Sequence, residues 1–263
     1  MDPISKKEMD DLQEAILKNE KLSASDFRRL YELAGVRFKE EFGSSGAHNP
    51  CSVETISKIV LKMAEEVNPC TLLNVGMGGY PFVDMELSRR GFSVTGLEYS
   101  ASLAGIAHEV SANGGCSFPI ILGDAQNLPF LAESFEACLC SETLEHLPDD
   151  RRALSEIHRV LKPDGCLILT VPNLWAFLGW QDRVGQFVKT RSWVATPSHV
   201  REYHFFSVMK LLKGFFEIKS WHAVPFTNAS FSQMPYEKSL SFLSALPFLK
   251  WGSLSFAAVL KKI

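Results

Sequence analysis

The sequence predicts an α/β fold built around a mostly parallel β-sheet, and three observations support this prediction. From Thr71 onward, short apolar segments alternate with segments of helical periodicity, which is the pattern of βαβ units. The first apolar segment runs directly into a glycine-rich turn, Gly76-Met77-Gly78-Gly79. The last two apolar segments have no clear helix between them, so we expect the sheet to end with an antiparallel strand.

The N-terminal segment, residues 1–50, predicts a helical lid that precedes the sheet. Apolar residues recur at helical spacing in two runs, from Leu12 to Leu17 and from Phe27 to Leu33. The segment ends at Gly43-Ser44-Ser45-Gly46, a stretch of turn-forming residues. A further helix is predicted from Ser52 to Val67, where apolar residues again share one face.

The remaining elements follow in order along the chain. The predicted strands are Thr71–Val75, Phe92–Leu97, Phe118–Leu122, Phe135–Cys140, Cys166–Val171, Phe215–Trp221 and Leu254–Leu260. The predicted helices after the glycine-rich turn are Val83–Arg89, Ala101–Ala112, Asp149–Leu161 and Ser207–Lys213. Lys162-Pro163-Asp164-Gly165 predicts a turn before the fifth strand.

The composition argues against several classes of protein. The chain has 263 residues and a formal net charge of −3, whereas a general nucleic-acid binder needs a basic face. No stretch approaches the ~20 consecutive apolar residues of a membrane helix, and Met1 to Asp11 lacks the apolar core of a secretory signal. The six cysteines contain no C-x-x-C pair, so we expect free thiols in a reducing compartment. We therefore expect a cytoplasmic monomer or homodimer that binds a small molecule and no nucleic acid.

Three features at the ends of predicted strands outline a site for a nucleoside. The glycine-rich turn lets a ligand approach main-chain N–H groups closely. Glu98 ends the second strand, where a carboxylate can accept hydrogen bonds from both hydroxyls of a ribose. Asp124 follows the third strand and can accept a bond from an exocyclic amine such as that of adenine. Because the carboxyl ends of parallel strands meet at one edge of the sheet, we expect these features to converge.

A longer set of residues resembles a known family. The segments that carry the resemblance are Gly123–Phe130 (GDAQNLPF), Ser134–Glu136, Ser141–Leu147 (SETLEHL), Arg159–Leu167 (RVLKPDGCL) and Val171–Asn173. Together with the glycine-rich turn, they resemble the class I S-adenosylmethionine-dependent methyltransferases, and more closely the type 11 group that includes ubiquinone- and menaquinone-pathway enzymes. The resemblance implies a Rossmann-like, doubly wound sheet of seven strands with an antiparallel last strand.

The resemblance also implies S-adenosyl-L-methionine as the cofactor. Gly76 and Gly78 would face its methionine part, Glu98 its ribose, and Asp124 with Ala125 its adenine. The other residues assigned to this cofactor site are Asn74, Met77, Tyr99 and Ser141. The chain departs from the family pattern twice, since Asn74 replaces the usual acid before the first glycine and Tyr80 replaces the usual third glycine. We expect both departures to bear on cofactor affinity rather than on the fold.

Methyl transfer from a sulfonium is an in-line displacement that mainly requires positioning and a dry site. A base is needed only for a poor nucleophile such as a hydroxyl. The candidate catalytic residues are His146, which follows the fourth-strand motif, and His199 and Tyr203, which lie where a long insertion returns to the sheet. His204 is a further candidate for the base.

The run Glu142-x-x-Glu145-His146 supports two interpretations. Some relatives of the family place such a run, with a later histidine such as His199, around a divalent cation. The same run is common in relatives without a metal, where the two glutamates serve the start of a helix. We predict no metal, and the cation site remains the alternative.

The predicted function is an S-adenosylmethionine-dependent methyltransferase whose small-molecule acceptor is aromatic, prenylated or lipid-like. Residues 51–263 would form the methyltransferase domain, with two insertions rich in aromatic residues and leucine, 174–203 and 228–251, covering the acceptor site. One alternative is a non-catalytic, degenerate cofactor-binding scaffold that acts as an interaction partner. A nicotinamide-dependent oxidoreductase is less favoured, because Pro81 stands where the dinucleotide fingerprint needs its third glycine.

Overall fold

The computed structural model describes residues 3–17, 22–42, 51–174, 199–224 and 255–263. The helices are α1 (Pro3–Leu17), α2 (Ala24–Phe42), α3 (Cys51–Val67), α4 (Phe82–Arg89), α5 (Ala101–Asn113), α6 (Asp150–Val160) and α7 (Phe205–Leu212), with a 3-10 turn at Leu144–His146. The strands are β1 (Thr71–Val75), β2 (Ser93–Glu98), β3 (Ile120–Leu122), β4 (Phe135–Ser141), β5 (Leu161–Pro172), β6 (Phe216–Ala223) and β7 (Ser255–Lys262). The predicted insertion 228–251 and most of the insertion 174–203 lie outside the described residues.

The seven strands form one sheet in the order β3-β2-β1-β4-β5-β7-β6. The first five strands along the chain pair in parallel, whereas β7 runs antiparallel to both β5 and β6. The fold class predicted from the sequence is therefore confirmed. The chain moves outward from β1 to β3 and then crosses back to β4, on the other side of β1. Such a reversal leaves a crevice at the carboxyl ends of the strands, where open α/β sheets bind ligands.

Helices cover both faces of the sheet with apolar side chains. One core cluster joins the sheet to α6 and α7 through residues such as Leu154, Ile157 and Val208. A second joins it to α3 and α4 through residues such as Ile59 and Leu87. The central strands β1 and β4 are almost entirely buried, as expected for strands with helices on both sides.

Two strands, β3 and β5, begin at least two residues from their predicted starts, and the other strand ends shift by no more than two residues. β5 begins at Leu161, which pairs with Phe135 before the register shifts, so the predicted turn at Lys162–Gly165 is an irregular part of the strand with Asp164 at φ 62°. β3 is shorter than predicted and begins after Pro119, because a proline has no N–H to donate to the neighbouring strand.

The N-terminal helices pack on each other and then on the sheet domain. α1 and α2 share a small core of Met9, Phe27, Leu30 and Leu33. The carboxylate of Glu32 on α2 accepts hydrogen bonds from the backbone N–H groups of Ala101 (2.7 Å) and Ser102 (3.1 Å) at the start of α5. These N–H groups have no partner within their own helix, so Glu32 stabilises α5 while it holds α2 beside the crevice.

The described helices include none that is both long enough and apolar enough to cross a membrane.

Candidate active site

A cavity of about 250 Å³ opens at the carboxyl ends of β1, β2, β3 and β4. It is lined by Phe27, Tyr31, Gly76, Gly78, Leu97, Glu98, Tyr99, Leu103, residues 123–126, Glu142, Thr143 and residues 146–148. The predicted cofactor residues that meet in this lining are Gly76, Gly78, Glu98, Tyr99, Asp124 and Ala125. Its volume lies just below the ~300–1,000 Å³ range of small-molecule pockets.

The glycine-rich turn presents bare backbone to the cavity. Gly76 and Gly78 have φ angles of 75° and 71°, a region that other residues enter only at a cost. A Cβ on Gly76 would lie 2.5 Å from Cγ2 of Thr143, so only glycine fits against this side chain. A Cβ on Gly78 would meet no atom within 4 Å, because this position faces open space. A ligand can therefore approach the main chain at Gly78 directly.

Glu98 is a buried carboxylate at the end of β2, with 5% of its surface exposed. Oε2 accepts a hydrogen bond from the N–H of Gly78 (2.8 Å), and Oε1 accepts bonds from the N–H groups of Tyr99 and Ser100 (both 2.9 Å). Burial raises the pKa of Glu98, while these three N–H groups lower it and favour the charged form. The glycine-rich turn and the carboxylate are thus locked together, and Glu98 faces the cavity with a fixed orientation.

Asp124 and Tyr99 both line the cavity. Oδ1 of Asp124 accepts bonds from the backbone N–H of Gln126 (2.8 Å) and from its side-chain amide (3.2 Å). The guanidinium of Arg28, on α2, lies 5.0 Å from the centre of the Tyr99 ring. An aromatic ring and a carboxylate in the same lining suit a nucleobase that carries an exocyclic amine.

Three predicted cofactor residues lie outside the lining. The side-chain amide of Asn74 donates to both carboxylate oxygens of Asp84, each at 2.9 Å. Met77 is buried against Gly96, and the hydroxyl of Ser141 is bonded to that of Thr170 (2.8 Å). These side chains contact other parts of the protein next to the glycine-rich turn and the strand ends, and they do not line the cavity.

Tyr80, which replaces the usual third glycine, also points away from the cavity. Its ring stacks on Phe82, with ring centres 5.9 Å apart, and packs against the cluster of Met85, Ile106 and Val110. The bulk of Tyr80 therefore lies between α4 and α5 and not where a ligand would bind.

A cluster of acids and histidines lies beside the cavity, at the end of β4. Glu142 and His146 line the cavity, and Glu145 is buried behind them with 1% exposed. The ring centres of His146 and His199 are 4.8 Å apart. Burial is the main cause that raises the pKa of both Glu142 and Glu145. Glu142 also has a φ of 49°, a strained conformation that is frequent at functional sites.

The structure separates the four predicted base candidates into two groups. His146 and His199 meet in the acid–histidine cluster. The hydroxyl of Tyr203 instead donates to Asp150 Oδ2 at 2.7 Å, and the residue is buried in the core. His204 caps the start of α7 by accepting a hydrogen bond from the N–H of Ser207. Neither Tyr203 nor His204 lies in the cavity lining.

Sequence reasoning missed the contribution of α2 to the cavity wall. Phe27 and Tyr31 line the cavity, and the Tyr31 hydroxyl donates to the backbone carbonyl of His146 at 3.3 Å. The Tyr31 ring also meets Tyr99 and His146 edge to face. The helical periodicity of α2 predicts an apolar face, but it carries no signal for the surface on which that face packs.

Comparison with known proteins agrees with this geometry. Residues 73–169 match the family model described as a methyltransferase domain. The chain is 35% identical over 127 residues to the demethylmenaquinone methyltransferase of Thermotoga maritima, covering 46% of this chain and 53% of that protein. It is 25% identical over 160 residues to the ubiquinone biosynthesis O-methyltransferase of Hydrogenovibrio crunogenus, covering 59% of this chain and 64% of that protein. The chain thus spans less than two thirds of the length of either relative.

The solved structures support the fold. The PH0226 protein from Pyrococcus horikoshii superposes with a TM-score of 0.60 at 18% identity, over 86% of this chain and 99% of that one. Three observations therefore agree with a methyltransferase domain: the family match, the strand order, and the convergence of Gly78, Glu98 and Asp124 on one cavity. The match of residues 73–169 to a methyltransferase domain, together with these relatives, supports membership of the class I S-adenosylmethionine-dependent methyltransferases of the type 11 group.

Proposed function

We propose that this protein transfers a methyl group from S-adenosylmethionine to a small-molecule acceptor. One observation carries the proposal: the bare backbone of Gly78, the Glu98 carboxylate and Asp124 line a single cavity, with the acid–histidine cluster at its side. The net charge of −3 supports a small molecule rather than a nucleic acid as the acceptor. Residence in the cytoplasm and a monomeric or homodimeric state stay predictions.

The residues fit the cofactor in chemical terms. Three backbone N–H groups hold the Glu98 carboxylate, which still has acceptor capacity for the hydroxyls of a ribose. The open space at Gly78 admits a ligand against the main chain. S-adenosylmethionine supplies a methyl group on a positively charged sulfur, and the carboxylates of Glu98 and Glu142 are the acidic groups of the cavity lining.

The reaction requires little covalent chemistry from the protein. A lone pair of the acceptor atom forms the bond to the methyl carbon, and the electron pair of the broken carbon–sulfur bond stays on sulfur. An acceptor hydroxyl also gives up its proton, for which His146 is the base candidate that reaches the cavity. The remaining side chains position the reactants and exclude water, which Phe27, Tyr31 and Leu147 do as apolar walls.

The acceptor class is part of the proposal. The names of the two relatives, both of quinone biosynthesis, and the apolar walls of the cavity support an aromatic, prenylated or lipid-like acceptor. Residues 174–203 and 228–251 would contribute the cover of this site.

Calorimetry with S-adenosylmethionine and S-adenosylhomocysteine tests the proposal. The wild type should bind both, and Glu98→Ala should weaken binding more than tenfold, since two ribose hydrogen bonds to a charged group are worth about 3 kcal/mol or more. Glu133 is exposed and does not belong to the cavity lining, so Glu133→Gln is the matched control and should bind both compounds as the wild type does. Failure of the wild type to bind either compound would contradict the proposal.

A degenerate scaffold is the second candidate function, because Asn74 stands where the family has an acid. The two candidates differ in turnover and not in binding. Each protein is incubated with radiolabelled S-adenosylmethionine and a panel of quinol and phenol acceptors. The wild type should transfer the label to an acceptor, and Glu98→Ala should not. Tight cofactor binding with no transfer of label to any acceptor would favour the scaffold. Transfer to water-soluble phenols alone would instead narrow the acceptor class.

A further inference from the structure

Asp84 is a buried carboxylate next to the glycine-rich turn. It lies in the first turn of α4 with 1% of its surface exposed, and each of its oxygens accepts a bond from the side-chain amide of Asn74 at 2.9 Å. Asn74 precedes Gly76 by two residues, so this pair adjoins the turn that lines the cavity. A buried carboxylate normally faces a cation or several donors, because burying its charge costs free energy.

In the described part of the chain, no basic side chain neutralises the charge of Asp84. Burial is the main cause that raises its pKa to about 6, and the bonds from Asn74 and from its own backbone N–H lower it, so the carboxyl is mostly ionised at neutral pH. The charged side chains of α3 and α4 pair with one another, since Arg90 bonds both Glu65 and Glu86. The fold therefore keeps a negative charge next to the turn.

This charge fixes the orientation of the Asn74 amide. Because Nδ2 is held by both carboxylate oxygens, the amide oxygen Oδ1 lies on the opposite side of the group. Among the described residues no group donates a hydrogen bond to this oxygen, and 6% of the surface of Asn74 remains exposed. An amide that donates to a carboxylate is polarised, which makes its oxygen a stronger acceptor. Asn74 and Asp84 together thus present more negative potential than a neutral amide alone.

The proposed cofactor carries positive charge at the end that the resemblance assigns to this turn. Its methionine part has an ammonium and, in S-adenosylmethionine, a sulfonium, whereas S-adenosylhomocysteine has lost the sulfonium charge. A charge buried in the protein interior still acts over several ångströms, since the medium around it screens poorly. Asp84 can therefore favour the cationic cofactor without lining the cavity.

We propose that Asp84 is a positioning residue of the cofactor site, whose carboxylate acts through the amide of Asn74 to favour the cationic cofactor at the glycine-rich turn. The negative charge that the family pattern places at position 74 is then carried by α4 instead. Burial of this charge costs stability, a cost that is common at functional sites. The inference rests on the proposed function, because it requires S-adenosylmethionine in this cavity.

Calorimetry on the full chain at neutral pH, with S-adenosylmethionine and with S-adenosylhomocysteine, tests the inference. Asp84→Asn keeps the shape of the side chain and removes its charge. It should weaken binding of S-adenosylmethionine about tenfold, the order expected for a charge within ~10 Å in a medium of effective dielectric ~20, and it should weaken binding of S-adenosylhomocysteine less. Glu86→Gln removes a carboxyl of the same helix outside the cavity lining, so it is the control and should bind both compounds as the wild type does.

Moving the charge back to the strand separates its electrostatic effect from the packing of Asp84. The double variant Asn74→Asp with Asp84→Asn keeps one amide beside one carboxylate and should recover most of the affinity for S-adenosylmethionine that Asp84→Asn loses. Circular dichroism establishes that each variant is folded. A folded Asp84→Asn that binds S-adenosylmethionine as tightly as the wild type would overturn the inference, and so would a folded double variant that binds no better than Asp84→Asn. Wild-type protein that binds neither compound would instead contradict the proposed function on which the inference rests.

Discussion

Asp84 offers a direct test of how this fold tolerates buried charge beside the glycine-rich turn. It lies in the first turn of α4, with 1% of its surface exposed, and its carboxylate is held by the amide of Asn74. The Asn74 amide carries no net charge, so an ionised Asp84 is buried against a neutral partner. Burial is the main cause that raises the pKa of Asp84 from 3.8 to about 6, and the bonds from Asn74 oppose it.

The sign of the effect on stability follows from this pKa. The carboxyl holds its proton more tightly in the folded protein than in the unfolded chain, so the fold loses stability as the pH rises above 3.8. The loss is nearly complete once the pH passes about 6. At ~1.4 kcal/mol for each tenfold change in proton affinity, the cost at neutral pH is about 3 kcal/mol. Asp84→Asn keeps an oxygen for the Asn74 amide and removes the charge.

Urea unfolding of the wild type and of Asp84→Asn at several values between pH 4 and pH 8 measures the effect. The difference in the free energy of unfolding between the two proteins should shift by roughly 2–3 kcal/mol in favour of the variant as the pH rises over this range. Comparing two pH values cancels the change in hydrogen bonding, which is the same at both. Asp10→Asn, which removes an exposed carboxyl on α1, is the control. A difference that stays constant with pH, or that grows in favour of the wild type, would refute the reasoning.

Three further substitutions have clear expected outcomes. Gly76→Ala should lower the free energy of unfolding by about 2 kcal/mol or more, because its Cβ would overlap Thr143 Cγ2 at a positive φ. Adding Thr143→Ser, which removes Cγ2, should recover part of this loss, as measured by urea unfolding. Full stability of Gly76→Ala would contradict the described packing. Glu32→Gln should lower the free energy of unfolding by about 1–2 kcal/mol, since Glu32 caps α5 with a charged group. It should also increase cleavage of the N-terminal helices by protease, and unchanged cleavage would count against this contact between α2 and α5. Tyr31→Ala should weaken binding of S-adenosylhomocysteine roughly tenfold by opening the cavity wall, whereas the affinity of Tyr31→Phe should stay within about twofold of the wild type. Equal effects of the two substitutions would argue against an apolar role of the Tyr31 ring.

The positions of the strands, and of the glycines and carboxylates that line the cavity, were predictable because they depend on local patterns. A buried parallel strand is a short apolar run wherever it packs, and β1 at Thr71–Val75 matches its prediction residue for residue. Gly76 and Gly78 mark a turn because only glycine adopts their backbone angles at little cost. Glu98 and Asp124 follow neighbouring strands, and a parallel sheet brings such strand ends to one edge.

The remaining features depend on contacts between distant parts of the chain, which only the tertiary structure decided. Asn74 and Tyr80 differ from the family pattern, and whether they disturb the cavity depends on where their side chains point. The fold turns Asn74 toward Asp84 and Tyr80 toward Phe82, both away from the cavity lining. No periodicity in a single segment encodes these directions, because each is set by the space that another helix leaves.

The acid–histidine cluster illustrates the same division. The sequence by itself determined that Glu142, Glu145 and His146 follow the fourth strand, in a run whose glutamates serve either the start of a helix or a cation. It did not determine that His199, more than fifty residues later, returns to this point while Tyr203 turns into the core. Likewise Tyr31 reaches the cavity through long-range contacts of α2, among them the bonds of Glu32 to the start of α5. The local sequence determines the helices and strands of this protein, and long-range packing determines which of their side chains lie together in one site.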